Sequence, residues 1–244
     1  MQNLTKENYI FPKQKLQLKK IEKDKINRVL IFCGSFNPPT IGHLRVLEDI
    51  ANHFSLLDQN IIGGYISPVN QKYKKKDLTV GDYRIEMCDL ATKSSSWIML
   101  DPWEALQDEY IRTKISLEHF QKEIDTILEK EKIEEKVKVS LVCGSDVIES
   151  MIAPDTFWIK EQVIELTKKF NIICGLRDTT ADNLKEKISK SYLEPVQEYI
   201  HIIKTSPMSI SSTMVRNLAN KKLSFKYFVL DPVMDYILKN QLYI

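Results

Sequence analysis

The sequence predicts an α/β protein: a doubly wound, mainly parallel sheet with helices on both faces and a small helical C-terminal subdomain. Three observations point there. Short apolar runs of strand length recur along the chain, and segments with helical apolar spacing separate them. The C-terminal end carries two short helical patterns with no strand between them. Apolar runs with little internal alternation suit strands buried on both faces, as a parallel sheet requires.

Residues 1–27 form a charged N-terminal extension without a clear apolar stripe, for which a helix docked on the body is the expected form. The body, 28–205, opens with the run VLIFC at 29–33, a buried first strand. The stretch GSFNPPTIGH follows, and then Leu44, Leu47, Ala51 and Phe54 recur at helical spacing. A second strand is expected at 61–66, a helix carrying Tyr83, Met87, Leu90 and Ala91, and a third strand at 97–100. Residues 104–135 read as one long charged helical stretch with apolar positions at Leu106, Tyr110, Ile111, Ile115, Ile124, Ile127 and Leu128. Further strands are expected at 137–143, 171–176 and 199–204. Residues 206–244 form the C-terminal subdomain, with helices at 211–220 and 231–240. This alternation of strand and helix is the Rossmann-like arrangement.

Composition narrows the classes. Of 244 residues, 43% are hydrophobic and 28% charged, and the net charge of +2 makes no case for nucleic-acid or membrane partners. No apolar run approaches a membrane span, and the Lys-rich start has no apolar core of the secretory type. The four cysteines, Cys33, Cys88, Cys143 and Cys174, have neither zinc nor redox-motif spacing, so they read as reduced thiols of an intracellular protein, cytoplasmic or nuclear.

Two segments carry chemistry. In Gly34–His43 a Gly/Pro-rich loop runs from strand to helix, where unpaired backbone N–H groups and a positive dipole end suit a phosphate. Gly34 and Gly42 permit close approach, and His43 could donate to a phosphate oxygen whose charge grows in reaction. The same loop could be an ordinary turn with His43 as a helix cap. In SISSTMVR, 209–216, the hydroxyls of Ser211, Ser212 and Thr213 and the guanidinium of Arg216 form a second anion cradle, or an ordinary N-cap. Two cradles on one sheet suit a polyphosphate held across the strand ends.

Together these segments resemble the nicotinamide-nucleotide adenylyltransferases of the nucleotidyltransferase superfamily, most nearly the eukaryotic type. GSFNPPTIGH is similar to the family's first nucleotide-binding motif and SISSTMVR to its second. SPVNQKYKKKDL, DPWEALQDEY and LVCGSDVIESMIAP lie between them in family order, and the resemblance runs from about residue 28 to the C-terminus. It implies transfer of AMP from ATP to nicotinamide mononucleotide, with nicotinate mononucleotide as a further candidate, giving NAD and pyrophosphate without a covalent enzyme intermediate. Mg²⁺ would enter with ATP, with no side-chain metal ligands, and a homo-oligomer is a candidate state.

The resemblance also implies roles. His43, Arg216 and Lys75 would be catalytic. Gly34, Ser35, Phe36, Gly42, Ser211, Ser212 and Thr213 would join Arg216 in holding ATP. Ser35, Phe36, Lys75, Tyr110, Thr113, Gly144, Asp146, Phe157, Trp158 and Arg177 would hold the mononucleotide, with Lys74 and Lys76 solvated. Tyr110 stands where the family usually has a tryptophan that stacks on the pyridine; a helix-core tyrosine is the competing reading. Asp146 would accept from a ribose hydroxyl, or else cap a helix. An acidic residue expected before the second motif is absent from KTSPMS. Two alternatives stay open: another adenylyl- or cytidylyltransferase of the superfamily, and a nucleotide-binding, chaperone-like protein without turnover.

Overall fold

The strand-length apolar runs all become strands. The computed structural model describes residues 4–176 and 181–244. Among them, β1 (Asn27–Gly34), β2 (Asn60–Pro68), β3 (Ile98–Leu100), β4 (Val137–Gly144), β5 (Ile172–Leu176) and β6 (Ile200–Lys204) form one sheet in the order β3-β2-β1-β4-β5-β6. Every pairing in it is parallel. Parallel neighbours need crossovers, and the segments with helical spacing supply them: α1 (Ile41–Leu56), α2 (Gly81–Thr92), α3 (Thr113–Lys130), α4 (Ser145–Ile152), α5 (Lys160–Phe170) and α6 (Ala181–Ser189).

The alternation of β1 shows why both faces are covered. Val29 and Ile31 belong to a core with Leu117, Phe120 and Ile124 of α3 and Val163, Leu166 and Phe170 of α5. Leu30 and Phe32 point the other way, into a core with Val46, Leu47, Ile50 and Phe54 of α1. The chain runs outward from β1 to β3, then returns to start again at β4 beside β1. The crevice beyond the C-terminal ends of β1 and β4 is therefore the topological switch point, where open α/β sheets bind ligands.

Residues 206–244 contribute α7 (Ser212–Asn220) and α8 (Asp231–Lys239). Val215, Ala219, Val233 and Ile237 pack with Met87 and Ala91 of α2 in a separate apolar cluster. The backbone N–H of Ile41, at the start of α1, donates to the Phe228 carbonyl, which ties this unit to the loop after β1.

Two expectations need correction. The N-terminal extension is not a docked helix: it is irregular, with one 3₁₀ turn at Leu18–Lys20. Pro12 lies within it, and its polar partners belong to the body: Tyr65 donates to the Pro12 carbonyl, and Lys15 Nζ to the carbonyls of Thr92 and Ile98. The long helix begins at Thr113, not at residue 104. The Asn70 side-chain amide lies within hydrogen-bond distance of the carbonyls of Glu104, Ala105 and Gln107, holding that stretch as turns. Tyr110 therefore lies in a loop.

Candidate active site

A cleft of about 380 Å³ opens at the switch point. Gly34 and Gly144 end the two strands that flank it. A Cβ on Gly34 would lie 3.3 Å from the Phe36 ring, and one on Gly144 would lie 2.5 Å from Asp146 Oδ1. A side chain at the second position would displace the Asp146 carboxylate. Gly144 is itself the N-cap of α4, and Asp146 sits in the first turn and lines the cleft, so it is not the cap.

His43 lines the cleft, yet it also caps its helix. Its Nδ1 accepts the Thr40 backbone N–H at 2.9 Å, so the neutral imidazole carries its proton on Nε2. Phe32 and Phe36 meet the ring edge-on, with centroids 5.7 Å and 5.2 Å away, and fix its orientation. The expectation of unpaired donors at this helix start holds only in part. The N–H of Ile41 is taken by Phe228 and that of His43 by Thr40, so two of the first-turn donors are engaged within the protein.

The second cradle is pinned to the first loop. Ser212 Oγ donates to the Pro38 carbonyl at 2.7 Å, and Arg216 Nη1 to the Asn37 carbonyl at 2.9 Å. Arg216 Nη2 lies 3.3 Å from Thr213 Oγ1. Ser211 is the N-cap of α7, its hydroxyl accepting the Met214 N–H. Neither Ser211 nor Gly42, which is buried in the first turn of α1, forms part of the cleft wall. Lys75 does, with Nζ 3.1 Å from Ser35 Oγ, while Lys74 and Lys76 are exposed outside it.

Part of the cleft wall is aromatic. Tyr110 stacks on Tyr73 with centroids 5.4 Å apart, so it is a wall residue rather than helix core. Phe157 and Trp158 stack at 5.5 Å, and Trp158 Nε1 donates to Ser150 Oγ at 3.0 Å. Thr113 opens α3 and lines the same cleft. Arg177 lies outside the described residues.

Three residues escaped the sequence reading. Arg84 is fully buried and donates to three carbonyls: Thr79 and Val69 from Nε and Nη2, and Ser35 from Nη1. It clamps the loop after β1, and burial lowers its pKa. Asn37 donates to the Asp77 carbonyl at 2.8 Å, joining the same loop to the lysine-rich one. Glu104 is 4% exposed and forms part of the cleft wall; burial pushes its carboxyl up to about 8. Its only sequence signal is membership of the DPWEALQDEY segment.

Comparison with known proteins follows the same lines. The model of the cytidylyltransferase-like family matches residues 31–218. The chain is 38% identical over 234 residues to the nicotinamide/nicotinic acid mononucleotide adenylyltransferase of Arabidopsis thaliana, covering 95% of this chain and 96% of that protein. It is 39% identical over 219 residues to the enzyme of that name from Oryza sativa subsp. japonica, covering 88% and 85%. In fold it is similar to the Plasmodium falciparum nicotinic acid mononucleotide adenylyltransferase complexed with NaAD. There the TM-score is 0.61 at 22% identity, covering 89% of this chain and 97% of that one.

Proposed function

This chain belongs to the cytidylyltransferase-like family and, within it, to the nicotinamide/nicotinic acid mononucleotide adenylyltransferases, and from that premise we propose how its cleft works. The enzyme transfers AMP from ATP to a pyridine mononucleotide, giving the dinucleotide and pyrophosphate. One observation supports the assignment of roles: a single cleft at the switch point is lined both by His43, Lys75 and Arg216 and by Tyr110, Phe157 and Trp158.

The mononucleotide phosphate, already ionised, attacks the α-phosphorus of ATP in line, and no protein nucleophile takes part. Catalysis then rests on positioning and on neutralising charge at the transferring group. His43 donates from Nε2 to an α-phosphate oxygen. Arg216 and Lys75 meet the remaining phosphate charge, and Ser212 and Thr213 flank it. Ser35 and Phe36 line the junction between the substrates. Asp146 accepts from a ribose hydroxyl, and Tyr110, with Phe157 and Trp158, encloses the pyridine ring.

Mg²⁺ counts as part of the ATP substrate. Among the described residues no group of three or more His, Cys, Asp or Glu side chains could cage a metal, which suits an ion carried by phosphate oxygens and water. Residues 206–244 act as a subdomain that completes the ATP site, a reading supported by the Ser212 and Arg216 contacts to the first loop. The four free cysteines support a reducing, intracellular compartment, cytoplasmic or nuclear. A homo-oligomer and small-molecule partners alone complete the reading; among the described residues no helix is long and apolar enough to cross a membrane.

The direct test is pyrophosphate release from MgATP with nicotinamide mononucleotide, nicotinate mononucleotide or phosphopantetheine. Turnover with a pyridine mononucleotide and none with phosphopantetheine is expected. The reverse pattern would reassign the enzyme within the superfamily, and binding without turnover would make it a nucleotide-binding protein.

A further inference from the structure

We infer that Glu104 is a specificity-determining residue for the pyridine ring: its Oε1 reads the ring's amide or carboxylate, and the proton it carries sets the choice between the two mononucleotides. The inference rests on the adenylyltransferase reading and deepens it.

The geometry begins with how the carboxyl is held. Oε2 accepts from Ser116 Oγ at 3.0 Å, in the first turn of α3, and more loosely from Ser67 Oγ at 3.5 Å, in β2. These two hydroxyls fix the carboxyl plane. No hydrogen bond to Oε1 is made among the described residues. Nor is Oε1 sealed in: the enclosed side-chain polar atoms without a partner are Gln17 Oε1 and Asp101 Oδ2. Glu104 lines the cleft, so the carboxyl oxygen left without a hydrogen bond is the one available to a ligand bound there. Ser116 lies one turn after Thr113, which lines the cleft together with Tyr110, Phe157 and Trp158, so the carboxyl is held against the α3 side of the cleft, near its aromatic wall.

Four titratable neighbours face it. Asp101 raises its pKa and the Arg84 guanidinium lowers it, while the Cys33 thiol and the Tyr110 hydroxyl are pushed up by burial first and by the Glu104 charge second. Burial outweighs Arg84 and the two serines, so the group is neutral below about pH 8 and ionised above. A neutral Glu104 donates its O–H to the ring carboxylate of nicotinate mononucleotide. Once ionised it repels that carboxylate but still accepts from the N–H of the nicotinamide amide. Attraction to the cationic ring is common to both substrates and cancels in their ratio. The second phosphate ionisation, near pH ~6, cancels likewise.

The test is the ratio of kcat/KM for nicotinate over nicotinamide mononucleotide from pH 6 to 9.5 under saturating MgATP. In the natural protein the ratio should fall on the order of tenfold through an inflection near pH 8, the scale of one added like charge in a partly buried site. Glu104→Gln should flatten it. A flat ratio in the natural protein, or an undiminished fall in Glu104→Gln, would overturn the inference. Should Glu104→Gln not fold, Ser116→Ala serves instead. Loss of that donor favours the neutral acid, so the inflection should move to higher pH, and an unmoved inflection overturns the inference equally. Absence of pyrophosphate with both substrates at every pH would overturn the reading of the site and this inference with it.

Discussion

The hydroxyl of Tyr243 donates to Oδ1 of Asn37 across 2.8 Å, joining the C-terminal subdomain to the loop that follows β1. Asn37 is buried, its amide nitrogen is held by the Asp77 carbonyl, and its own carbonyl accepts from Arg216. One side chain and its peptide thereby link the loop after β1 to α7 and to the C-terminus.

Tyr243→Phe keeps the packing and removes this bond together with the hydroxyl's contact to Thr79. It should cost about 1 kcal/mol of stability. The KM for ATP should rise more than that for the mononucleotide, because the loosened register lies between the phosphate cradles. Steady-state kinetics with each substrate varied would reveal this, and equal changes in both KM values would show that the bond serves stability only.

His43→Ala should lower turnover by roughly a hundred- to a thousandfold, the scale of losing one aligned donor to a transition-state oxygen. Binding of ATP, measured by calorimetry, should stay within a few-fold of normal. The same substitution also removes the acceptor for the Thr40 N–H, so a small fall in melting temperature should accompany it. Near-normal turnover would leave the imidazole with the capping role alone.

Tyr110→Ala should raise the KM for the mononucleotide more than that for ATP, and Tyr110→Trp should restore or tighten mononucleotide binding by offering a larger ring face. Tyr73 provides the parallel surface behind it. Loss of stability in Tyr110→Ala with no change in either KM would reassign the residue to loop packing.

Stability should fall as pH rises from about 6.5 to 8. Asp101 and Glu104 are buried, and burial raises them to about 7 and about 8. Across this window the folded state keeps protons that the unfolded chain has already released, so rising pH favours unfolding. His119 acts oppositely, since burial lowers it to about 4, but its contribution is complete once the unfolded histidine has lost its proton near 6.5. Asp101→Asn removes the ionisation of a carboxyl whose Oδ2 has no partner while keeping an acceptor for the Trp103 N–H. Melting curves of that variant should show a weaker decline over the window and a higher melting temperature than the natural protein at pH 8. A decline of unchanged size would locate the effect elsewhere.

The sheet was readable because buried parallel strands leave uninterrupted apolar runs such as VLIFC, and the cradles because their glycines, hydroxyls and basic residues are adjacent in sequence. What escaped depends on distant partners. Residues 104–112 carry helical apolar spacing, but Asn70, thirty-odd positions earlier, engages their carbonyls. Arg84 looks like an ordinary polar position on α2, and only three carbonyls from the loops after β1 and β2 make it a core residue. Glu104 reads as one acid in an acidic stretch until Ser67 and Ser116 are brought to it. The irregular form of the docked extension was hidden because Tyr65, Thr92 and Ile98, which hold it by hydrogen bonds, belong to the body.

The sheet order has a mechanical consequence. Strands β1 to β3 and β4 to β6 form two halves, joined within the sheet by one parallel ladder from Asn27 beside Val137 to Phe32 beside Val142. The cleft sits across the open end of that seam, with Gly34 on one side and Gly144 on the other. A dinucleotide formed there is a rivet through the line along which the molecule would part under tension. Product release is therefore also the moment at which the enzyme is weakest to pulling, and force spectroscopy would read the ligand as added resistance at the seam.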